Sequence, residues 1–220
     1  MRTGGGGSGR PRDCLIRANA GRKPPDAGPP NDGPPLGLER GTVALASHHP
    51  EWLDAAATEL ERLEAAFERD GDDGRVLGYE HVGSTAVPGL AAKPILDLLV
   101  LVADLEAVIS LQPALERLQY ERRPNGDVPD RVFFAKGPET DRTHYLSVAP
   151  WGSDCHREQV VFRDFLQANP SAAEAYETLK RRLAEGHSDE RAAYTDRKEP
   201  FVEDILERAA SAGFGLEEWP

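Results

Sequence analysis

Cysteine, aromatic residues and long apolar runs are all scarce in this sequence. Its 220 residues include two cysteines, Cys14 and Cys155. Cys14 falls in a stretch expected to be disordered, which argues against a structural disulfide and fits a reducing, cytoplasmic setting. No apolar run approaches the roughly 18 residues of a transmembrane helix. The arginine-bearing N-terminus also lacks the continuous apolar segment of a secretory signal. Positive charge is short as well: the net charge is −12. Residues 1–40 carry a local balance of +3, which leaves −15 on the remainder. Such a body repels phosphate backbones and argues against broad nucleic-acid binding, while leaving room for a small nucleotide in a locally basic cleft.

The hydrophobic share of 39% is low, partly because Gly and Pro crowd the N-terminus in GGGGSG and KPPDAGPPNDGPP. A segment of this kind buries too little apolar surface to offset its ordering entropy. Residues 1–40 therefore read as a disordered tail, although a start codon assigned too far upstream would look the same. Residues 41–220 read as one domain, ample for a hydrophobic core, and there is no internal repeat.

Within that domain, Leu53, Ala56, Ala57, Leu60, Leu63 and Phe67 recur at helical spacing over residues 50–70. The glycines at 71 and 74 end the helix. Val76 to Val82 reads as a strand, and Ile95 to Val102 as a central strand covered on both faces. Asp104 is placed as the cap of a helix reaching about Tyr120, interrupted near Pro113. Two more strands are expected at Arg131–Lys136 and Thr143–Val148. Helices follow at Glu158–Ala168, Ser171–Glu185 and Pro200–Ala210. The pattern is α/β or α+β, with a helical C-terminal part.

Two features carry chemistry. Gly83-Ser84-Thr85 follows a strand, where a glycine lets backbone N–H groups approach a phosphate and the hydroxyls add donors. It is neither a Walker A loop, since Gly89 is followed by Leu90, nor a GxGxxG fingerprint. Asp97 interrupts a buried strand, and a buried carboxylate needs a cation, a metal or several donors. Alternation sets Ile95, Asp97 and Leu99 on one face. A two-metal site usually wants a second carboxylate two residues on, and that position is Leu99. The bland readings are a plain turn at Gly83 and an aspartate paired with Lys93 or an arginine. On the polar strand around residue 145, Thr143, Tyr145 and Ser147 share one face, and His144 and Leu146 the other. His48-His49 reads as a capping turn, and Cys155-His156 as a metal pair only with distant partners. Arg163, Lys180 and Lys198 are ordinary helix charges unless geometry brings them to a phosphate.

Several of these stretches resemble the GrpB family. Residues 43–52 (VALASHHPEW) are similar to its opening strand and helix start. Residues 80–100 (EHVGSTAVPGLAAKPILDLLV) are close to its complete central signature. FRDFL, AYETLKRRLA and YTDRKEPFV (residues 162–166, 175–184 and 194–202) resemble its C-terminal helices. The resemblance implies a nucleotidyltransferase-like fold akin to DNA polymerase β, in a family also found fused behind dephospho-CoA kinase. It implies that Gly83 and Ser84, with Thr85, hold a nucleotide phosphate, that Asp97 holds a divalent metal such as Mg²⁺, and that Lys93 lies nearby. Two departures stand out: the missing second carboxylate, and Tyr145 and Ser147 where the family has a histidine pair, leaving only His144. The implied function is nucleotidyl transfer from a Mg²⁺-nucleoside triphosphate to an unknown acceptor, with Asp97, Ser84 and His144 converging in one cleft. The alternative is a module of the same fold that binds a nucleotide or CoA-like phosphate ligand without transfer chemistry. A scaffolding role for the acidic surface is the third reading.

Overall fold

The computed structural model describes residues 36–71, 74–124, 128–188 and 190–216. The first helix, α1 (Glu51–Arg69), buries Trp52, Ala56, Leu60, Leu63 and Phe67 along one stripe, as their spacing requires. Strand β1 (Val76–Val82) follows, then a single 3₁₀ turn (Ser84–Ala86) and strand β2 (Leu96–Val102). Helix α2 (Ala107–Arg117), β3 (Tyr120–Arg123), β4 (Val132–Lys136) and β5 (His144–Pro150) complete the first half. Helices α3 (Asp154–Ala168), α4 (Pro170–Gly186), α5 (Arg191–Asp196) and α6 (Glu199–Ser211) form the second.

The five strands make one mixed sheet in the order β1-β2-β5-β4-β3. Only β2 and β5 run parallel, because α2, β3 and β4 form the crossover between them. Helices α1 and α2 cover one face over Leu96, Leu98, Val100, Val102, Leu146 and Val148. Helix α3 covers the other face over Val82, Leu99, Leu101 and Ala149. A further apolar cluster joins α3, α4 and α6 to Val87 and Leu90. The fold is thus a mixed α/β sheet flanked by helices with a helical C-terminal part.

The structure departs from the sequence reading at several boundaries. Helix α3 starts four residues early because the Ser153 hydroxyl accepts a hydrogen bond from the His156 N–H at 3.2 Å. Asp104 Oδ1 accepts from the Ala107 N–H, but the helix proper begins at Ala107. Pro113 sits inside α2, and the Ile109 carbonyl it leaves without a helical donor belongs to a residue 79% exposed, where water can serve it. β3 and α5 were not anticipated. β3 buries only Tyr120 among its four residues, and α5 only Tyr194, so neither carries an apolar pattern. The opening strand implied near Ala46 is a single bridge to Ala92. The body also starts before Gly41: Gly37 N–H donates to the Pro94 carbonyl at 2.8 Å, and Leu38 pairs with Arg142. The rest of the expected tail, with Cys14, lies outside the described residues. Cys155 is a free, buried thiol.

Candidate functional site

The site forms where β1 hands over to β2. Val82 is the antiparallel partner of Asp97, so the residue after it must turn directly over the carboxylate. That residue is Gly83, at φ 71°. A Cβ there would lie 2.6 Å from Asp97 Oδ2 and 2.9 Å from Asp97 Cβ. Glycine is required both by the left-handed backbone and by contact with the aspartate. The spacing of Gly83 and Asp97 therefore encodes a physical contact.

Ser84 is held from behind. Lys180 Nζ donates to Ser84 Oγ at 3.0 Å and to the Ala91 carbonyl, and it lies 4.7 Å from the centre of the Tyr176 ring. Lys180 is only 2% exposed, and burial, with Lys198 nearby, lowers its pKa to about 7. It positions the serine and does not present itself to a ligand.

Around Asp97 the structure gathers cations from four separate segments. Lys93 precedes β2, Arg131 precedes β4, Arg191 opens α5 and Lys198 precedes α6. All four favour the ionised carboxylate, yet burial outweighs them and raises the Asp97 pKa to about 6. Lys93 is lowered to about 8 by burial and then by Arg191 and Lys198. Lys198 is lowered for the same reasons, burial first. Both ammonium groups lie against one buried ring, Lys93 Nζ 4.6 Å and Lys198 Nζ 4.7 Å from the centre of Tyr194. Burial also pushes the Tyr194 hydroxyl up to about 12. Among the described residues, Lys93, Arg191 and Lys198 have no carboxylate within 4 Å, which leaves an excess of positive charge here in an acidic protein. Such an arrangement costs stability unless an anion completes it.

Several of the anticipated site residues lie elsewhere. His144 is on the opposite face of the sheet. It pairs laterally with Lys136, its ring approaches Tyr120, and its neighbours are Glu59 and Lys136. Burial lowers its pKa to about 4, so it is a neutral residue of the α1 layer, and strand alternation keeps it from the Asp97 cleft. Thr85 is 1% exposed and its hydroxyl is bonded to His81 Nε2 at 2.9 Å, so it steadies the turn. Arg163 is committed to Glu80 (2.6 Å), Asp164 (2.7 Å) and the His81 carbonyl (2.9 Å). It lines a separate cleft of about 1420 Å³ between α1, β1, α3 and α4. The arginines that line it, Arg163 and Arg181, are both ion-paired, and the cations that act on Asp97 lie elsewhere. Gly83, Ser84, Lys93, Asp97 and Lys198 do come together, with Lys180 one layer behind. Arg131, Arg191 and Tyr194 were missed. The signal for two of them was present: Arg191, Tyr194 and Lys198 lie three and four residues apart, a helical spacing that aligns one side of α5 with the start of α6.

The donor set does not suit a divalent cation held by the protein. Among the described residues Asp97 is the one carboxylate at the site, Leu99 is fully buried beside it, and the charged groups that act on it are cationic. Among the described residues no group of three or more histidine, cysteine or acidic side chains is placed to hold a metal.

The molecule is therefore an α/β protein whose site is a strand carboxylate set among cations beneath a Gly-Ser turn. The chain belongs to the GrpB family: the GrpB protein family profile matches residues 42–208. It is 33% identical over 175 residues to the glutamate-rich protein GrpB of Alkalihalophilus pseudofirmus, covering 78% of this chain and 98% of that one. It is 30% identical over 167 residues to the UPF0157 protein YqkA of Bacillus subtilis, covering 76% of this chain but spanning only 47% of YqkA. The crystal structure of the conserved protein GrpB from Enterococcus faecalis matches with a TM-score of 0.68 at 33% identity, over 77% of this chain and 98% of that one.

Proposed function

We propose that the protein binds a phosphorylated small molecule, with the phosphate groups on Ser84, Lys93, Arg191 and Lys198 and without a protein-held metal. The observation that carries this reading is the gathering of Lys93 and Lys198 on the Tyr194 ring and of Arg191 on the Tyr145 ring, near enough for all three, with Arg131, to act on the Asp97 carboxylate. Burial first, and then neighbouring cations, lower the pKa values of Lys93 and Lys198, and a bound phosphate would offset both. Asp97 spaces the cations and orients them.

The nucleotidyl-transfer reading implied by the family resemblance rests on a divalent cation at Asp97 and on His144 in the same cleft. The donor set and the placement of His144 both weigh against it. The binding module is the better-supported function, with a nucleotide as the ligand class that the Gly-Ser turn suits.

Isothermal titration of the full chain with tripolyphosphate and with adenosine triphosphate, each with Mg²⁺ and with chelator, tests the proposal. Binding that persists in chelator and falls at least about tenfold in Lys198→Ala supports it, as expected for losing one charge-assisted contact of about 1.5–3 kcal/mol. Binding that needs Mg²⁺ and disappears in Asp97→Asn would restore the transferase reading.

A further inference from the structure

Beside Asp97, the same face of the sheet carries a row of planar groups that no core uses. Tyr145 is the direct lateral neighbour of Asp97 on β5. Phe133 follows on β4, its ring 5.3 Å from that of Tyr145 and inclined by 45°. The guanidinium of Arg191 lies 5.0 Å from the centre of the Tyr145 ring and donates to its hydroxyl at 3.2 Å. The guanidinium of Arg131 lies 5.2 Å from the centre of the Phe133 ring. The sequence in space is therefore carboxylate and cations, Arg191, Tyr145, Phe133, Arg131.

Three facts set this row apart from ordinary packing. Phe133 and Tyr145 are only partly buried, and neither belongs to any of the three apolar clusters. Among the described residues, helix α3 over this face packs mainly on β1 and β5. Arg131 and Arg191 also act on Asp97, so the aromatic row and the cation cluster are one continuous surface. An aromatic pair left half-open at a sheet face is uncommon unless something covers it. Here a guanidinium lies over each ring, Arg191 over Tyr145 and Arg131 over Phe133, and such planes stack on flat rings as readily as they bind phosphate, so a base would insert beside or in place of them.

We infer that Phe133 and Tyr145, with Arg131, form the subsite for the heterocyclic ring of a nucleotide whose phosphates occupy the adjoining cation cluster. The inference rests on the phosphate-binding reading above and assigns the residues that meet the base of its nucleotide. Phe133 stands two strands across and two residues along from Asp97, roughly 12 Å at about 4.8 Å per strand and 3.3 Å per residue, within the span of an extended nucleotide from phosphates to base. Stacking tolerates any base because every base has a π face, so the subsite favours nucleotides over inorganic polyphosphate without selecting strongly among bases. The Arg191–Tyr145 hydrogen bond ties the two subsites together, since the same guanidinium meets the phosphates on one side and the ring row on the other.

The test is titration calorimetry of adenosine triphosphate, uridine triphosphate and tripolyphosphate against the wild type, Phe133→Ala and Phe133→Trp. Phe133 lies outside the cation cluster, and a thermal melt of each variant checks the fold. The wild type is expected to bind both nucleotides about tenfold or more tighter than tripolyphosphate, the size of one stacking contact. Phe133→Ala should remove that preference and leave tripolyphosphate affinity unchanged, and Phe133→Trp should retain it. Equal wild-type affinity for the three ligands, or an equal loss for all three in Phe133→Ala, overturns the ring subsite while the phosphate site stands. Failure of the wild type to bind any of them overturns both readings.

Discussion

Asp97 shows how one residue can trade stability for a site. Its folded pKa of about 6 stands above the ordinary carboxylate value, so the folded protein binds its proton more tightly than the unfolded chain does. The stability linked to that proton is fully present below about pH 4 and is lost as pH rises through 6. Above that point the ionised carboxylate is a standing cost of roughly 3 kcal/mol, from about 1.4 kcal/mol per pKa unit. Asp97→Asn, which mimics the protonated form, should therefore be the more stable protein by up to that amount at about pH 8 and no different at about pH 4. Urea unfolding of the two proteins across this range measures it, and a pH-independent difference would mean that the carboxylate does not sit in the pocket. Gly83 is the companion constraint. Alanine there has to displace the Asp97 side chain and hold a left-handed backbone, so little besides glycine fits.

At the scale of elements, α1 is fastened to the sheet by more than its apolar stripe. Glu59 is 3% exposed, and it accepts hydrogen bonds from Tyr120 at 3.1 Å, Lys136 at 2.6 Å and Arg62 at 3.0 Å. The helix thereby grips β3 and β4 on the far side of the central strands. Removing one partner of a buried ion pair leaves the other charge uncompensated and costs about 3–5 kcal/mol. Glu59→Ala should lose about that much in chemical unfolding, while ligand titration on the surviving folded protein stays near wild type, because the network lies on the opposite face from Asp97. His144 belongs with this network. Strand alternation alone separated it from Asp97, and Tyr145 stands at the ligand face in its place. Short elements behave differently: α5 is only six residues long, yet it supplies Arg191 and Tyr194 to the site.

For the whole molecule, the balance of charge sets what can approach. The body is acidic and most of its described arginines are ion-paired, whereas Lys93, Arg191 and Lys198 gather where separate segments meet over β2 and β5. A small anion is drawn to that point, and a long polyanion meets repulsion on either side. Affinity for a triphosphate should accordingly fall as ionic strength rises from low to physiological, because partly exposed charges are screened over about 8–10 Å. Duplex DNA should show no comparable binding under the same conditions. Fluorescence titration over a salt series measures both, and tight duplex binding would contradict the placement of charge described here. No helix among the described residues is long and apolar enough to cross a membrane.

The sequence by itself determined the elements with strong periodicity and the contact at their junction. The stripe of α1, the strand β1, the apolar run of β2 and the Gly83–Asp97 spacing follow from local rules of helical and strand geometry, and the central signature was enough to indicate the family. It could not place β3 or α5, whose few buried residues leave no period to read. Nor could it show that Arg131 and Arg191 reach Asp97 or that Arg163 and Thr85 do not, since those outcomes depend on how segments distant in sequence pack together. Only the tertiary structure decided that cations from four segments lie around one carboxylate, that Lys180 stands behind Ser84, and that Tyr145 and Phe133 lie half-buried beside them. Burial and long-range charge, which shift the ionisation of these groups, are properties of the assembled layers and belong to no single stretch of chain.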